Sequence, residues 1–425
     1  MHRRFSLVLL AFALIAIGCD SGGGSEFADS ASISGSVTED SGYAKAAAVE
    51  GAVVSATSVD ANGDVTEHPD TAIVSAEGRY TIQIENPGAY VVLTAEGEGF
   101  SSAVVHFRNR EVEASTAAPM NQESAAEADV FMSSRVNASA ALRELAYPRI
   151  AAYVDARVAA ALRSGGATAR AIAEILVEGQ ESEDSYVENR DPDGEPDDRP
   201  IDDRRARDEE ATLNLQAALD AAASVSERRE ALSDFAEIFA TGYSAAGVST
   251  VTSAEAMEAG YAAQVSAAAD ASVSADVVSA LRMRADLFVG IATTVAVRAS
   301  LVAGDATADA LAAFDVASET FLAALAEAES TNDVALAYDA FGEVVDVQVA
   351  ATLGLDVALV ATARAATDTA RTALEVAIDA AASGVAIAAA YQTYFTAAQA
   401  AASAALSASS KASIGAEVVA LMSLH

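Results

Sequence analysis

The hydrophobic pattern of this 425-residue chain changes its period near residue 120, and this change constrains the fold more than any other feature. Before it, short apolar runs alternate with polar residues between glycines and prolines, which is typical of strands and turns. After it, apolar residues recur every three or four positions in long alanine-rich runs, which indicates amphipathic helices. The sequence therefore predicts an α+β protein with separate domains, strands in residues 32–120 and helices in residues 121–425.

Several short strands with regular turns are expected in the first domain. Tyr80 and Ile82 alternate with polar residues, so both are expected to point into a core. Gly78 provides the tight turn before them. In the following strand, Tyr90 and Val92 are expected to face the same core. This pattern predicts a small β-sandwich.

Five short motifs follow one another in the order found in a known domain family. They are residues 33–37 (ISGSV), 51–54 (GAVV), 75–82 (SAEGRYTI), 87–90 (PGAY) and 99–100 (GF). Together they resemble the carboxypeptidase regulatory-like domain, a β-sandwich of transthyretin type. The sequence departs from the family at Ala76, where an acidic residue is usual, and by an insertion over residues 60–70, between the second and third strands. The resemblance implies a fold, and it brings no catalytic residue to this chain.

Three apolar stripes with helical spacing characterise the second domain. They are Val277, Leu281, Phe288, Ile291, Val295 and Val302; Leu311, Phe314, Phe321 and Leu325; and Val334, Tyr338, Phe341, Val345 and Val349. Gly304–Asp305 and residues 330–333 (STND) are each expected to end one helix and cap the next, and residues 252–255 (TSAE) predict a capping box. Short connections between long helices imply an antiparallel, up-and-down bundle. Because 42 of the 125 residues from Leu301 are Ala, the helices should pack closely.

Residues 1–19 (MHRRFSLVLLAFALIAIGC) have the layout of a bacterial secretory signal, a short basic region followed by an apolar run. Residues 16–19 (AIGC) resemble a lipobox, with Ala16 where that motif prefers Leu. The resemblance implies a signal peptide over residues 1–18, lipidation of Cys19 and a flexible tether over residues 19–31; an ordinary signal peptide is the alternative. Asp20 resembles the inner-membrane retention signal of some Gram-negative bacteria, but that rule differs among lineages. We expect a lipid-anchored envelope protein, and we favour the outer membrane or cell surface.

The chain is strongly acidic, with 62 Asp and Glu against 25 Lys and Arg. Removal of residues 1–18 would take away Arg3 and Arg4 and change the net charge from -37 to -39. Nucleic acids and anionic lipid surfaces require clustered cations, so general electrostatic binding to either is excluded. Abundant acid with only two lysines, Lys45 and Lys411, is typical of salt-adapted proteins. With one cysteine, the chain forms no internal disulfide.

An acidic segment over residues 181–208 interrupts the helical pattern and predicts a mobile loop between helices. Its oxygen-bearing side chains alternate around Gly194 and resemble the start of an EF-hand or thrombospondin-type-3 calcium loop. The candidate calcium ligands are Asn189, Asp191, Asp193 and Asp197. However, Pro200 stands where the closing carboxylate should be, so a solvated acidic loop is the preferred interpretation.

No other segment carries a recognisable chemical motif. The four histidines (His2, His68, His106 and His425) are scattered without metal-ligand spacing, and nucleophile-elbow, zinc-protease and phosphate-loop motifs do not occur. Residues 380–410 contain no charged residue, and we expect them to form the central, all-round-buried helix of the bundle; a membrane span is the alternative.

These features favour a non-catalytic envelope lipoprotein that binds or scaffolds another envelope protein or polymer. The alternatives are a lipoprotein that captures a peptide or nutrient, a hydrolase, and a calcium-dependent adhesion module. The absence of Trp and the low aromatic content (6%) weigh against glycan capture, which normally uses exposed aromatic rings.

Overall fold

A computed structural model of the protein describes residues 30–39, 47–60, 62–88, 90–98, 100–107, 114–145, 147–190, 215, 218, 224–246, 249–271, 273–328 and 330–424. The predicted signal peptide lies outside the described residues, as does the predicted tether up to residue 29. The chain divides between Ala128 and Asp129 into two compact units. β-Sheets occupy residues 30–116, and the remainder is mostly helical, which confirms the predicted order of strands followed by helices.

The strands of the first unit are β1 (Ser30–Ser36), β2 (Thr38–Glu39), β3 (Ala47–Ala48), β4 (Val53–Val59), β5 (Val65–Ile73), β6 (Arg79–Glu85), β7 (Tyr90–Gly97), β8 (Phe100–Phe107) and β9 (Ala114–Thr116). They form a sheet in the order β6-β1-β9, a sheet in the order β5-β4-β7-β8, and the short pair β2-β3. The pairing of β1 with β9 is parallel, and the other pairings of these sheets are antiparallel. Buried side chains of the two larger sheets belong to one hydrophobic cluster.

The predicted core residues of the first unit are only partly right. Tyr80 of β6 is buried in the cluster, as expected. In β7 the prediction is wrong by one position, since Val91 and Leu93 join the cluster while Tyr90 and Val92 do not. Neighbouring side chains of a strand point to opposite faces, so a one-residue error exchanges the two faces. The four-residue apolar run at the start of β7 gave no alternation from which to choose.

Two other boundaries of this unit also need correction. Ala31, assigned to the tether, lies in β1 and is 2% exposed. The insertion over residues 60–70 is not only a connection, because its second half starts β5, an edge strand paired with β4. The β4–β5 register shifts between Ser55 and Thr57, opposite Pro69. Proline cannot donate to a ladder, so it is tolerated at such an irregularity on an edge strand.

Two glycines of the first unit are required by geometry. Gly78 has a φ of 73°, in the left-handed region that glycine adopts without strain. Gly35 pairs with Tyr80 across the β1–β6 ladder, and a Cβ at position 35 would overlap the Tyr80 ring. The tyrosine therefore packs directly over the glycine backbone.

The helices are α1 (Gln122–Arg135), α2 (Ala140–Glu144), α3 (Tyr147–Tyr153), α4 (Ala156–Ser164), α5 (Ala169–Arg190), α6 (Val225–Ala246), α7 (Thr250–Asp270), α8 (Ala275–Ala303), α9 (Ala308–Glu327), α10 (Thr331–Leu353), α11 (Val357–Asp379), α12 (Gly384–Ala405) and α13 (Ala412–Met422). Helix α12 packs on α5, α7, α11 and α13. It is therefore central, as predicted for residues 380–410. The prediction of all-round burial is wrong, because Val385 is 49% exposed and Thr393 and Thr396 are also exposed.

The predicted apolar stripes are buried to different extents. The third stripe lies entirely buried on α10, whereas Val302 at the end of the first stripe is 50% exposed.

Several helix ends agree with the sequence. Residues 330–333 cap α10, as expected, and the structure shows that Ser330 and Asp333 do so as a capping box. Gly304 is the C-cap of α8. These motifs satisfy backbone groups that a helix end leaves unpaired.

Two predicted caps are wrong. Helix α9 is capped by Thr307, whose hydroxyl accepts from the Ala310 backbone N–H, and not by Asp305. Helix α7 begins one turn before the predicted TSAE box, because Ser249 caps it. Glu255, the carboxylate of the predicted box, does not cap the helix start, because it is buried and accepts from the Tyr186 hydroxyl.

The predicted loop over residues 181–208 is wrong for its first ten residues. Helix α5 continues to Arg190, and residues 191–208 lie outside the described residues. Ser182 and Tyr186 are fully buried, and Val187 is 5% exposed. The Ser182 hydroxyl donates to the Ala259 carbonyl of α7 at 3.0 Å. By composition the segment is too polar to fold. It folds because its polar side chains find partners on neighbouring helices, which composition does not reveal.

Among the described residues, one helix is long and apolar enough to cross a membrane, namely α8; α10 and α11 pass the same test only as a pair, and they are bent by 116°. In α8, 61% of the most apolar window is buried inside the protein. Burial of this kind is usual in the core helix of a folded domain.

Candidate functional site

The residues singled out by sequence lie mostly beyond the described structure. Cys19, Asp191, Asp193 and Asp197 are outside the described residues. Asn189 lies in the last turn of α5, where its amide Nδ2 donates to the Ser185 carbonyl at 2.7 Å. Within the described parts of the chain, no three His, Cys, Asp or Glu side chains are placed to hold a metal ion.

Sequence reasoning missed a set of ionised side chains inside the helical unit. Arg149 of α3 is 4% exposed, and its Nη2 donates to Glu183 Oε2 of α5 at 2.6 Å, where Glu183 is 5% exposed. Gly260 of α7 makes room for this pair, since a Cβ there would overlap the Glu183 carboxylate. The guanidinium and the carboxylate compensate each other, which allows both charges to be buried.

A second ion pair lies beside the first. Arg284 of α8 donates to Asp155 Oδ2 at 3.0 Å, while Asp155 Oδ1 caps α4 by accepting from two backbone N–H groups. The Arg149 and Arg284 guanidinium carbons lie 5.9 and 5.4 Å from the centre of the Tyr153 ring. Each guanidinium therefore combines a carboxylate partner with a cation–π contact. This arrangement holds α3, α4, α5 and α8 together.

Buried carboxylates also line the region between α5, α7 and α12. Glu255 is 1% exposed; its Oε2 accepts from the Tyr186 hydroxyl at 2.7 Å and its Oε1 from Gln399 Nε2 at 3.4 Å. Gln392 of α12 also donates to the Tyr186 carbonyl at 3.2 Å. Polar contacts thus join three helices that also pack through apolar side chains, such as the edge-to-face rings of Tyr186 and Phe395.

One helical turn further along α7, Glu258 is partly buried and accepts from the Tyr391 hydroxyl at 3.4 Å. Burial raises the pKa of Glu258 to about 7, and the nearby Asp286 carboxylate adds to this, while the Tyr391 hydrogen bond opposes it. Burial likewise raises the pKa of Asp286 to about 6, although the positive charge of Arg282 lowers it in part. The pKa of the Tyr338 hydroxyl lies well above its usual range because of burial and these carboxylates. The carboxyl groups of Glu258 and Asp286 can therefore hold or release a proton near neutral pH.

A cleft of about 280 Å³ lies between α5, α7 and the start of α12. Its acidic wall includes Glu174, Glu178 and Asp270. Glu178 Oε2 accepts from the Gly384 backbone N–H at 2.5 Å, so this carboxylate satisfies one N–H group at the start of α12, whose N-cap is Ser383. The cleft contains neither ion pair and neither of the buried carboxylates of α7.

A groove of about 420 Å³ lies between α9 and α10 and is almost entirely apolar. Phe321 and Phe341 form its floor, stacked with their ring centres 4.8 Å apart. Along its walls, Val316 is 65% exposed and Thr320 is exposed. Outside the groove, Leu336 on α10 is 60% exposed. Exposed apolar surface of this kind is characteristic of an interaction site.

Comparison with protein-family models, with curated proteins and with solved structures found no match for this chain. The groove, the ion pairs and the carboxylates are therefore interpreted from their own chemistry. The sequence contained one signal for the groove, namely apolar positions such as Val316 that lie off the Phe314–Phe321–Leu325 stripe of α9. It contained none for the ion pairs, because Arg149 and Glu183 are 34 residues apart.

Proposed function

We propose that this protein is a lipid-anchored component of a bacterial cell envelope that binds or scaffolds another envelope component and catalyses no reaction. The proposed anchor rests on the sequence around Cys19. The proposed binding role rests on one structural observation, the exposed apolar groove between α9 and α10.

The proposal includes an architecture suited to such a role. The first unit would be a small β-sandwich similar to the carboxypeptidase regulatory-like domain, an expectation that the shared cluster of its two larger sheets supports. The second unit would be an antiparallel helical bundle. A short connection supports this, since three residues separate α9 from α10 and these two helices lie side by side.

The groove supports binding because burial is the main source of affinity for apolar surface. A stable monomer normally covers large apolar patches, whereas here Val316 and Leu336 remain more than half exposed on helices whose other exposed residues include many carboxylates. A partner that covers this surface would remove it from water. A scaffold needs no convergent catalytic groups in the groove, and its lining is alanine, valine, phenylalanine and one threonine.

The test uses the full chain in bacterial cells with an intact envelope. A photo-crosslinking residue is placed at Val316 in one variant and at Val376 in another; Val376 on α11 has the same 65% exposure and lies outside the groove. We expect a discrete adduct from position 316 in the membrane fraction and none from position 376. Equal adducts from both positions would contradict a binding role for the groove.

The anchor is tested in the same cells with Cys19→Ser. We expect this variant to fold and to leave the membrane fraction. Retention of the variant on membranes after a high-salt wash would contradict the anchor without affecting the groove.

A further inference from the structure

We infer that the groove between α9 and α10 binds a cationic amphipathic helix of a partner protein. This inference rests on the proposed binding function and adds the chemistry of the partner. Three features of the groove support it: its shape, its lining and the charge of its surroundings.

The shape fits a helix. Helices α9 and α10 are joined by three residues and lie side by side, and the groove follows them from Ala313 to Ala324 on α9. This distance is about three helical turns, roughly 17 Å at 1.5 Å per residue. Ala337 and Ala340 on the facing wall are small, which allows another backbone to approach closely. Helix-in-groove recognition uses apolar anchors at three- and four-residue spacing over such a length.

The lining supplies places for those anchors. The Phe321 and Phe341 rings form a flat apolar floor, and Val316 and Val344 stand on opposite walls. On α10 the apolar surface continues along one helical face, since Leu336, Ala340, Val344 and Val347 follow at steps of four, four and three residues. Leu336 and Val347 are 60% and 46% exposed.

The charge of the surroundings selects the partner. Helices α9 and α10 carry eight Asp and Glu residues and no Lys or Arg; two of the eight, Asp315 and Asp346, pair with Arg298 of α8 and Arg364 of α11. Asp309 and Glu327 lie seven residues from Val316 and Thr320 respectively, hence on the same face of α9 and at the two ends of the groove. Glu343 is exposed next to Val344. An apolar groove with an anionic border favours an apolar helix face with a cationic border.

The same border disfavours a second copy of this chain. Two copies joined through the groove would bring carboxylates against carboxylates, and like charges at an interface cost binding free energy. An anionic lipid surface is disfavoured for the same reason. The border carboxylates Asp309, Glu327 and Glu343 are exposed, so high salt screens them and should weaken their contacts with a cationic partner.

The probe is a synthetic 18-residue helix-forming peptide of Leu, Ala and Lys with its Leu residues on one face. One control peptide carries Glu in place of every Lys, and another carries Ser in place of every Leu. Binding to the full chain is measured by fluorescence anisotropy in dilute buffer and in molar KCl. We expect the Leu–Lys peptide to bind in both, more weakly in KCl, and neither control to bind detectably.

Matched protein variants locate the site. Val316→Arg puts a cation and extra bulk in the groove, and we expect it to weaken peptide binding at least about tenfold. Val376→Arg adds the same charge at an equally exposed helical position outside the groove, and we expect affinity within about twofold of the native chain. Circular dichroism should show unchanged helix content in both variants.

Four results would overturn the inference. The first is an equal loss of affinity in the two variants, which would mean nonspecific attraction to an acidic protein. The second is equal binding of the Glu peptide. The third is concentration-dependent self-association of the native chain that Val316→Arg abolishes, which would identify the occupant as a second copy. If the peptide fails to bind while the in-cell adduct at position 316 persists, the groove binds a partner of different chemistry, and only the broader proposal stands.

Discussion

The β unit and the helical unit bury different kinds of side chain. The buried cluster of the β unit is aliphatic apart from Tyr80 and Met120, and no Asp, Glu, Lys or Arg is buried among the described residues of that unit. In the helical unit, Arg135, Arg149, Glu183, Glu255 and Arg284 are buried.

The difference lies in the charged side chains and not in alanine content, since alanine makes up about a third of the buried hydrophobic residues in each unit. In the sheets, Val and Ile fill the core with little else required. In the helical unit, long polar side chains are buried beside large aromatic ones, such as Arg149 and Arg284 beside Tyr153, and they must be paired there. The β unit is therefore held mainly by apolar contact, and the helical unit also depends on the charge state of its interior.

The sharpest test of this comparison removes one partner of the buried ion pair. Arg149→Met leaves Glu183 buried without its guanidinium, and we expect the helical unit to lose about 3–5 kcal/mol while the β unit is unaffected. Hydrogen exchange of peptides from each unit separates the two effects. The control is Arg170→Met, which removes an exposed pair with Glu174 and should cost less than about 1 kcal/mol. Equal losses in the two variants would contradict a structural role for the buried pair.

The second test concerns Glu258 and pH. The folded state raises the pKa of this carboxyl from an ordinary value of 4.5 to about 7, so the folded protein binds the proton more tightly than the unfolded chain. Its contribution to stability is present below pH 4.5 and is lost as the pH rises to 7, by about 3 kcal/mol. Glu258→Gln keeps an acceptor for Tyr391 without the charge. We expect the variant to be more stable than the native chain at pH 8 and similar to it near pH 4.5, as measured by urea unfolding.

Tyr391→Phe gives this test a directional control. The Tyr391 hydrogen bond lowers the pKa of Glu258, so its removal should raise that pKa further and extend the loss of stability to higher pH. A pH dependence of unfolding that is identical in the native chain and in Glu258→Gln would show that this carboxylate does not control the helical unit.

The third test addresses the β unit through packing alone. Gly35→Ala introduces a Cβ that overlaps the Tyr80 ring, and we expect a loss of about 1–3 kcal/mol confined to the β unit. Tyr80→Leu combined with Gly35→Ala should recover part of the loss by making room. Hydrogen exchange of β1 and β6 measures both variants, and faster exchange in the helical unit would contradict the separation.

Added salt should distinguish the two units least. Residues 30–128 contain 15 Asp and Glu against 4 Lys and Arg, and residues 129–425 contain 44 against 19, so both carry a net negative charge. Screening of this repulsion by molar KCl should raise the melting temperature of both units. Calorimetry from dilute buffer to molar KCl measures the change. An unchanged melting temperature would contradict the predicted salt adaptation.

Local patterns in the sequence determined the order of strands and helices, the core face of β6, the turn at Gly78 and the capping box of Ser330 and Asp333. Each depends on residues a few positions apart, for which backbone geometry and hydrogen-bonding rules are sufficient. The prediction of the core face of β7 was wrong, although it also depends on neighbouring residues, because Tyr90–Leu93 is apolar at every position and shows no alternation.

Only the tertiary structure decided which polar residues are buried. The polar composition of residues 181–208 predicts a solvated loop, but in residues 181–190 Glu183 and Tyr186 find buried partners. These partners are Arg149, 34 residues away, and Glu255, 69 residues away. The groove depends in the same way on the packing of α9 beside α10, which leaves Val316 exposed. A buried charge or an exposed valine is favourable or costly according to what surrounds it, and those surroundings come from distant parts of the chain.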